Sequence, residues 1–137
     1  MGDINIINQF ITAAGNGNEN IVLYFLLTSQ VNINDKDCNG TTALMCAAIN
    51  NNESMVSLLF DKGADINIKN NDGYTALMLA VRNNYESIVS LLIDKGADIN
   101  MKNNVSILSY NNYYDKMSFN VNLKVYKLMN SIINHIY

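Results

Sequence analysis

The chain of 137 residues contains no proline and no tryptophan, and it has only two cysteines and one histidine. The two cysteines, Cys38 and Cys46, are too few for a disulfide framework, so we expect reduced thiols in an intracellular protein. The single histidine, His135, lacks the nearby nitrogen and sulfur ligands that a structural zinc site needs. We therefore predict a chain without a metal site and without a cofactor.

Basic charge is also scarce, because nine Lys and Arg residues stand against twelve Asp and Glu residues, for a formal net charge of −3. This balance argues against nucleic acid and anionic membrane surfaces as partners. No apolar run reaches the roughly 18 residues that a membrane-spanning helix needs. The first ten residues lack the basic and apolar segments of a secretory signal. We expect a cytoplasmic location, in the cytoplasm of a host cell if the protein is viral or an effector.

Sequence motifs for catalysis are missing. Neither of the glycine-rich phosphate-binding patterns occurs. Four carboxylates recur beside lysines at a fixed interval, which indicates a solvated or structural pattern rather than an acid–base pair. These carboxylates are Asp61, Asp65, Asp94 and Asp98. We predict no catalytic residue and no enzymatic activity.

What the chain does contain is one sequence written almost twice. Residues 40–72 and residues 73–105 are identical at 24 of 33 positions. A period of this length indicates stacked repeats, in which each unit buries its apolar face against its neighbours. Within each copy, Thr42 or Thr75 is placed to cap the start of a helix with its hydroxyl group. Asn51 and Asn84 stand in the turn between the helices, where a left-handed conformation is expected.

These residues resemble the ankyrin repeat. Residues 42–47 and 75–80 match the family motif T-P-L-H-x-A, except that Ala replaces the Pro and Met replaces the His. A Leu-Leu pair and a closing G-A-D-I-N segment follow in each copy; they are Leu58-Leu59, Leu91-Leu92, residues 63–67 and residues 96–100. The resemblance implies an all-α ankyrin-repeat solenoid, built from helix–turn–helix units with short hairpin turns between them. It also implies a non-catalytic module that binds other proteins.

We predict one domain of about four units. Residues 1–36 form a degenerate N-terminal cap repeat whose outer side faces water, residues 37–69 and 70–102 form two full repeats, and residues 103–137 form a degenerate C-terminal cap. We also predict that Leu58 and Leu91 are buried, so that truncating either of them costs about 2–5 kcal/mol.

An amphipathic helix is predicted near the C-terminus. Its apolar residues recur at helical spacing; they are Val125, Leu128, Met129, Ile132, Ile133 and Ile136. In one interpretation this helix closes the stack by covering residues 91–93, because an open end would expose apolar surface. In the other it docks into a groove of a partner, as an adaptor that recruits a host protein.

The resemblance also implies where a partner binds, at the tips of the hairpin turns and on the exposed side of each first helix. The turn positions are Cys38, Asn39, Thr41, Asn71, Asp72 and Tyr74, and the helix positions are Ile49, Asn50, Arg82 and Asn83. The two copies differ here, since Thr41 corresponds to Tyr74 and Ile49 to Arg82. A tuned binding face gives such divergence, and so does drift on a tolerant surface. Tyr74 and Arg82 are the strongest candidates, because Tyr and Arg often dominate interface energies; alternatively, the Tyr74 ring shields its turn.

Some proteins similar to this one are hydroxylated on the Asn that ends the closing segment, with a Leu eight residues before it. Asn67 with Leu59 and Asn100 with Leu92 match this spacing. The alternative interpretation is structural, because Asn side chains commonly hydrogen-bond the backbone of turns.

Two functions are compatible with these features. The first is an independent module, monomeric by itself, that binds one unidentified partner protein. The second is a self-associating or structural module of a larger complex.

Overall fold

The computed structural model describes residues 2–103 together with residues 131, 132 and 134. Its helices are α1 (Ile4–Gly15), α2 (Glu19–Leu27), α3 (Ala43–Ile49), α4 (Glu53–Asp61), α5 (Ala76–Arg82) and α6 (Glu86–Asp94). No strand occurs among the described residues, which confirms the predicted all-α fold.

The six helices form three antiparallel pairs that stack in sequence order. Within each pair, α1 contacts α2, α3 contacts α4 and α5 contacts α6. Between pairs, α1 packs on α3 and α3 packs on α5, while α4 packs on α6. Alanines at the contact allow this close approach, since Ala14, Ala47 and Ala80 have no exposed surface. The first helices therefore form one layer of the stack and the second helices form the other.

The predicted threonine caps are confirmed. The Met45 amide donates to Thr42 Oγ1 at 3.3 Å, and the Met78 amide donates to Thr75 Oγ1 at the same distance. Both threonines are buried, so water cannot replace the hydroxyl as acceptor. The caps thus start α3 and α5 at the same position of the two units.

Residues in the left-handed conformation end the helices of each unit. Asn51 and Asn84 have φ values of 56° and 59° in the turns between paired helices, as predicted. Gly63 and Gly96 follow α4 and α6 with φ values of 93° and 90°. The corresponding residue after α2 is Ser29, whose φ is 52°. A serine pays a steric penalty in this conformation that glycine does not.

We therefore expect the substitution Ser29→Gly to raise the free energy of unfolding by about 0.5–1 kcal/mol, because it removes the steric penalty at positive φ. Chemical denaturation of the two proteins measures the difference. Gly63→Ala is the matched control and should destabilise, since it puts a Cβ at a φ of 93°. A Ser29→Gly protein less stable than wild type would show that serine is favoured there for another reason.

The closing segments of successive units are tied together by hydrogen bonds. Asn34 Oδ1 accepts from the Asp65 amide at 2.8 Å, and Asn67 Oδ1 accepts from the Asp98 amide at 2.9 Å. Lys69 Nζ also donates to the Lys102 carbonyl at 2.6 Å in the next unit. These bonds repeat with the sequence, so they fix the spacing of the units on this side of the stack.

Three of the four recurring carboxylates have partners within the stack. Asp65 Oδ1 accepts from the Asn67 amide at 2.9 Å, and Asp98 Oδ1 accepts from the Asn100 amide at 2.8 Å. Asp61 Oδ1 lies 3.5 Å from Lys95 Nζ. The structural interpretation of this pattern is confirmed for these three carboxylates.

One prediction about the core is confirmed only in part, because Leu58 and Leu91 pack against the core without being fully buried. Leu58 and Leu91 are only partly buried, whereas Leu59 and Leu92 have no exposed surface. The reason is the phase of the helix, because Met55, Val56 and Leu59 share the face of α4 that meets the core. Leu58 is one residue, or about 100°, away from Leu59.

The C-terminal cap and most of the predicted helix from Val125 lie outside the described residues. Within it, Ser131, Ile132 and Asn134 have helical backbone. Ile132 is 1% exposed and belongs to the same apolar core as the repeats. This burial agrees with the capping interpretation at that one position.

Candidate partner-binding surface

Each hairpin tip is shaped by one polar side chain at its start. Asp37 Oδ1 accepts from the amides of Asn39 and Thr41, at 2.9 and 2.8 Å. In the next unit Asn70 Oδ1 accepts from the amides of Asp72 and Tyr74, at 3.1 and 2.8 Å. The two tips consequently have the same backbone while carrying different side chains.

The two tips are bonded to each other. The Asn71 amide donates to the Asn39 carbonyl at 3.0 Å, and Asn71 Nδ2 donates to the Cys38 carbonyl at 3.0 Å. Between them Gly40 has a φ of 75°, and a Cβ there would lie 2.8 Å from the Asn71 backbone nitrogen. Only glycine allows this approach. The tips are therefore held as one array.

Exposure divides the predicted turn residues. Cys38, Asn39, Asn71 and Asp72 are exposed at the tips, and Thr41 is half-buried. Tyr74 is only 7% exposed, so the expectation that it offers its ring to a partner is wrong. Its ring packs inside the unit, as the shielding interpretation requires.

Arg82 lies over the buried ring. Its guanidinium carbon is 5.5 Å from the centroid of Tyr74, which is within the range of a cation–π contact. Arg82 itself is exposed. The structure thus brings Tyr74 and Arg82 together, but they differ in exposure. The buried tyrosine ring lies beneath the guanidinium group, and the arginine is exposed to solvent.

The remaining predicted residues lie at the C-terminal ends of α3 and α5. Ile49 is the last residue of α3 and is 36% exposed. Asn50 and Asn83 are the C-caps, and their side-chain amides donate to the carbonyls of Cys46 and Leu79 at 2.9 and 2.8 Å. These bonds fix the two amide groups, so this edge of the first-helix layer presents a defined surface.

A model of ankyrin repeats, comprising three copies, matches residues 10–103, which is more than half of the chain. The chain belongs to the ankyrin-repeat family. No individual curated protein matches it. Ankyrin repeats are in general protein–protein interaction modules and are typically not catalytic. The matched residues run from within α1 to beyond the end of α6.

The described part of this ankyrin stack offers little for other chemistry. It contains no group of three or more His, Cys, Asp and Glu side chains that could hold a metal ion. None of its helices is long and apolar enough to cross a bilayer. His135 lies outside the described residues.

Cys46 is half-buried in α3. Desolvation raises the pKa of its thiol above the ordinary value, and the negative charge of Asp37 raises it further. The thiol is therefore protonated at neutral pH and is a weak nucleophile. Its surroundings are tight, because a Cβ on Gly15 would lie 2.7 Å from its sulfur atom. Cys46 is therefore a packing residue between α1 and α3.

The two candidate hydroxylation residues differ in their surroundings. Asn67 is half-buried and its Oδ1 accepts the Asp98 amide, while Asn100 is exposed. The bond of Asn67 gives that residue a structural role between units. Hydroxylation of Asn67 or Asn100 stays a prediction, which a mass increase of one oxygen in protein from its native host would test.

Sequence reasoning missed a surface in the first ankyrin unit. An open groove of about 400 Å³ lies beside α1 and α2. Ile4, Ile21, Tyr24 and Leu27 are exposed in the same unit. A signal was present, because α2 carries Leu23 and Leu27 where α4 carries Ser57 and Asp61.

Proposed function

We propose that the chain is a non-catalytic module that binds one partner protein through the hairpin tips and the ends of α3 and α5. The observation that carries the proposal is the bonded pair of tips, in which Asn71 donates twice to the preceding hairpin. The exposed residues on both tips are therefore held in fixed register before a partner binds. A surface already ordered before binding loses less conformational entropy when the partner arrives.

The differences between the two units support the same surface. Their frames are nearly identical, yet Ile49 at the end of α3 corresponds to Arg82 at the end of α5. Both residues are exposed, so burial in the core does not dictate either side chain. Arg82 rests on the Tyr74 ring, and arginine is enriched among residues that dominate binding energy.

The proposal includes a cytoplasmic location, where Cys38 and Cys46 stay reduced. It includes no catalytic step, in line with the typical behaviour of the family. The C-terminal helix as a docking element is not part of it, because Ile132 is buried in the core of the stack.

The test is capture of the partner from lysate of the source organism or its host, read by mass spectrometry. The binding variant combines Asp72→Ala, Arg82→Ala and Asn83→Ala, which change exposed residues only. The control combines Ser87→Ala and Asp94→Ala, which are exposed on α6 away from the tips. We expect a protein retained by wild type and control and lost by the binding variant. Equal recovery by all three would exclude this surface as the binding site.

A further inference from the structure

Helix α2 is apolar where its counterparts are polar. Asn18 caps α2 as Asn52 caps α4, which sets the two helices in register. In that register Leu23 corresponds to Ser57 and Leu27 to Asp61. A helix that is apolar on all sides is normally covered on all sides. We therefore expect another structural element or chain to cover the outer surface of α2, whereas α4 does not require such a cover.

This apolar surface is exposed. Ile21 is 43% exposed, Tyr24 is 57% exposed and Leu27 is 81% exposed. Their spacing of three residues places them along one side of the helix. Ile4 adds a further apolar side chain that is 48% exposed at the start of α1. Of the large apolar residues exposed in the described part of the chain, only Ile49 lies outside this first unit.

In the units further along the stack, the positions that correspond to Ile21 are buried. Ile21 corresponds to Met55 of α4 and Ile88 of α6, and both of these are completely buried. Those two residues lie on units that have another unit packed in front of them. In the first unit the same side is an open groove. The groove continues the contact surface by which successive units stack.

The groove and the α2 surface carry almost no charge. Between residues 4 and 34 the only Asp, Glu, Lys, Arg or His residue is Glu19, although the whole chain has 21 Asp, Glu, Lys and Arg residues. The polar groups that line the groove include the amides of Asn8, Gln9, Asn16 and Asn18. An amide both donates and accepts hydrogen bonds, so such a surface is complementary to another copy of itself.

We propose that the outer surface of α2, defined by Ile21, Tyr24 and Leu27, binds a second copy of this chain to form a symmetric dimer. Depletion of charge and enrichment of apolar and aromatic residues characterise the interfaces of homodimers. A two-fold dimer brings the same surface together from both subunits, and Glu19 is the only formal charge in α2 that could repel its own copy. None of the predicted partner-binding residues lines the groove or belongs to this α2 surface, so the dimer keeps two partner-binding surfaces.

The test is sedimentation equilibrium of the purified chain over a wide range of concentration. We expect the wild-type mass to rise from 15.3 kDa towards twice that value. The variant combines Tyr24→Asp and Leu27→Asp, the second of which introduces the residue that α4 already has at this position. We expect it to weaken dimerisation by about thirtyfold or more, as truncation of central interface residues commonly does. Leu27→Asp alone is the milder variant, should the double substitution disturb folding.

The control combines Ser54→Asp and Ser87→Asp, which add the same two charges at exposed positions of α4 and α6. It should dimerise like wild type, and circular dichroism should show equal helix content in all proteins. A wild-type mass that stays at 15.3 kDa at every concentration overturns the proposal. A control that dissociates as readily as the α2 variant does so too, because net charge would then explain the effect. The α2 variant should still capture the partner, so this proposal and the proposed function fail separately.

Discussion

Replacing Leu59 by alanine is expected to lower the free energy of unfolding by about 3–5 kcal/mol, and Leu92→Ala should have a similar effect. Both side chains are completely buried, so truncation removes apolar contacts and leaves a cavity. The neighbouring substitution Leu58→Ala should cost less, about 1–2 kcal/mol, because Leu58 keeps part of its surface in water. Urea denaturation monitored by circular dichroism measures all three.

Comparing Leu58→Ala with Leu59→Ala isolates the effect of burial. Leu58 and Leu59 are the same residue type in the same helix, so their intrinsic helix propensity cancels in the comparison. The difference that remains is burial against α3 and α6. A Leu58→Ala loss equal to or larger than that of Leu59→Ala would contradict the orientation of α4 described above.

The stacked fold could be predicted from the sequence because several independent signals recur at one period. Thr42 and Thr75 cap the first helices, Asn51 and Asn84 lie in the turns between paired helices, and the closing segments repeat. Each signal depends on contacts between residues that are close in sequence, so it can be recognised from the sequence alone. Full burial of Leu58 is not confirmed, because a Leu-Leu pair does not by itself say which of the two residues faces inward. The spacing from Met55 to Leu59 contained that information.

The candidate site could be predicted only in part. Exposure of Cys38, Asn39, Asn71 and Asp72 follows from their place at a turn tip. The burial of Tyr74 does not follow, because Thr41 at the same turn position is half-buried. Where the larger ring goes depends on what surrounds it in three dimensions. The contact with Arg82 joins the end of a hairpin to the end of α5, and no local pattern encodes it.

The sequence of the N-terminal cap contains a signal for the apolar surface of α2. Asp3 and Asn5 are exposed, as expected of a unit that faces water. However, Tyr24 and Leu27 are exposed as well, which a purely solvent-facing cap would avoid. Comparing α2 with α4 position by position identifies the difference, whereas hydrophobic periodicity within α2 alone does not.

Tyr74→Ala is expected to lower the free energy of unfolding by about 2–4 kcal/mol, because it empties the space of a ring that is only 7% exposed. Arg82→Ala should cost less than about 1 kcal/mol, since its contact with the ring is made at the surface. Thr41→Ala is the control at the same turn position of the preceding unit and should also cost less than about 1 kcal/mol. Urea denaturation of the three variants gives the values.

This difference decides how binding experiments on the tips must be read. Because Tyr74→Ala is expected to destabilise the stack, a failure of this variant to capture a partner would not separate lost contact from lost folded protein. Arg82→Ala changes the exposed group while the ring beneath it stays in place, and it therefore tests contact directly. A Tyr74→Ala protein as stable as wild type would contradict the burial of the ring. It would also restore Tyr74 itself as a candidate contact residue.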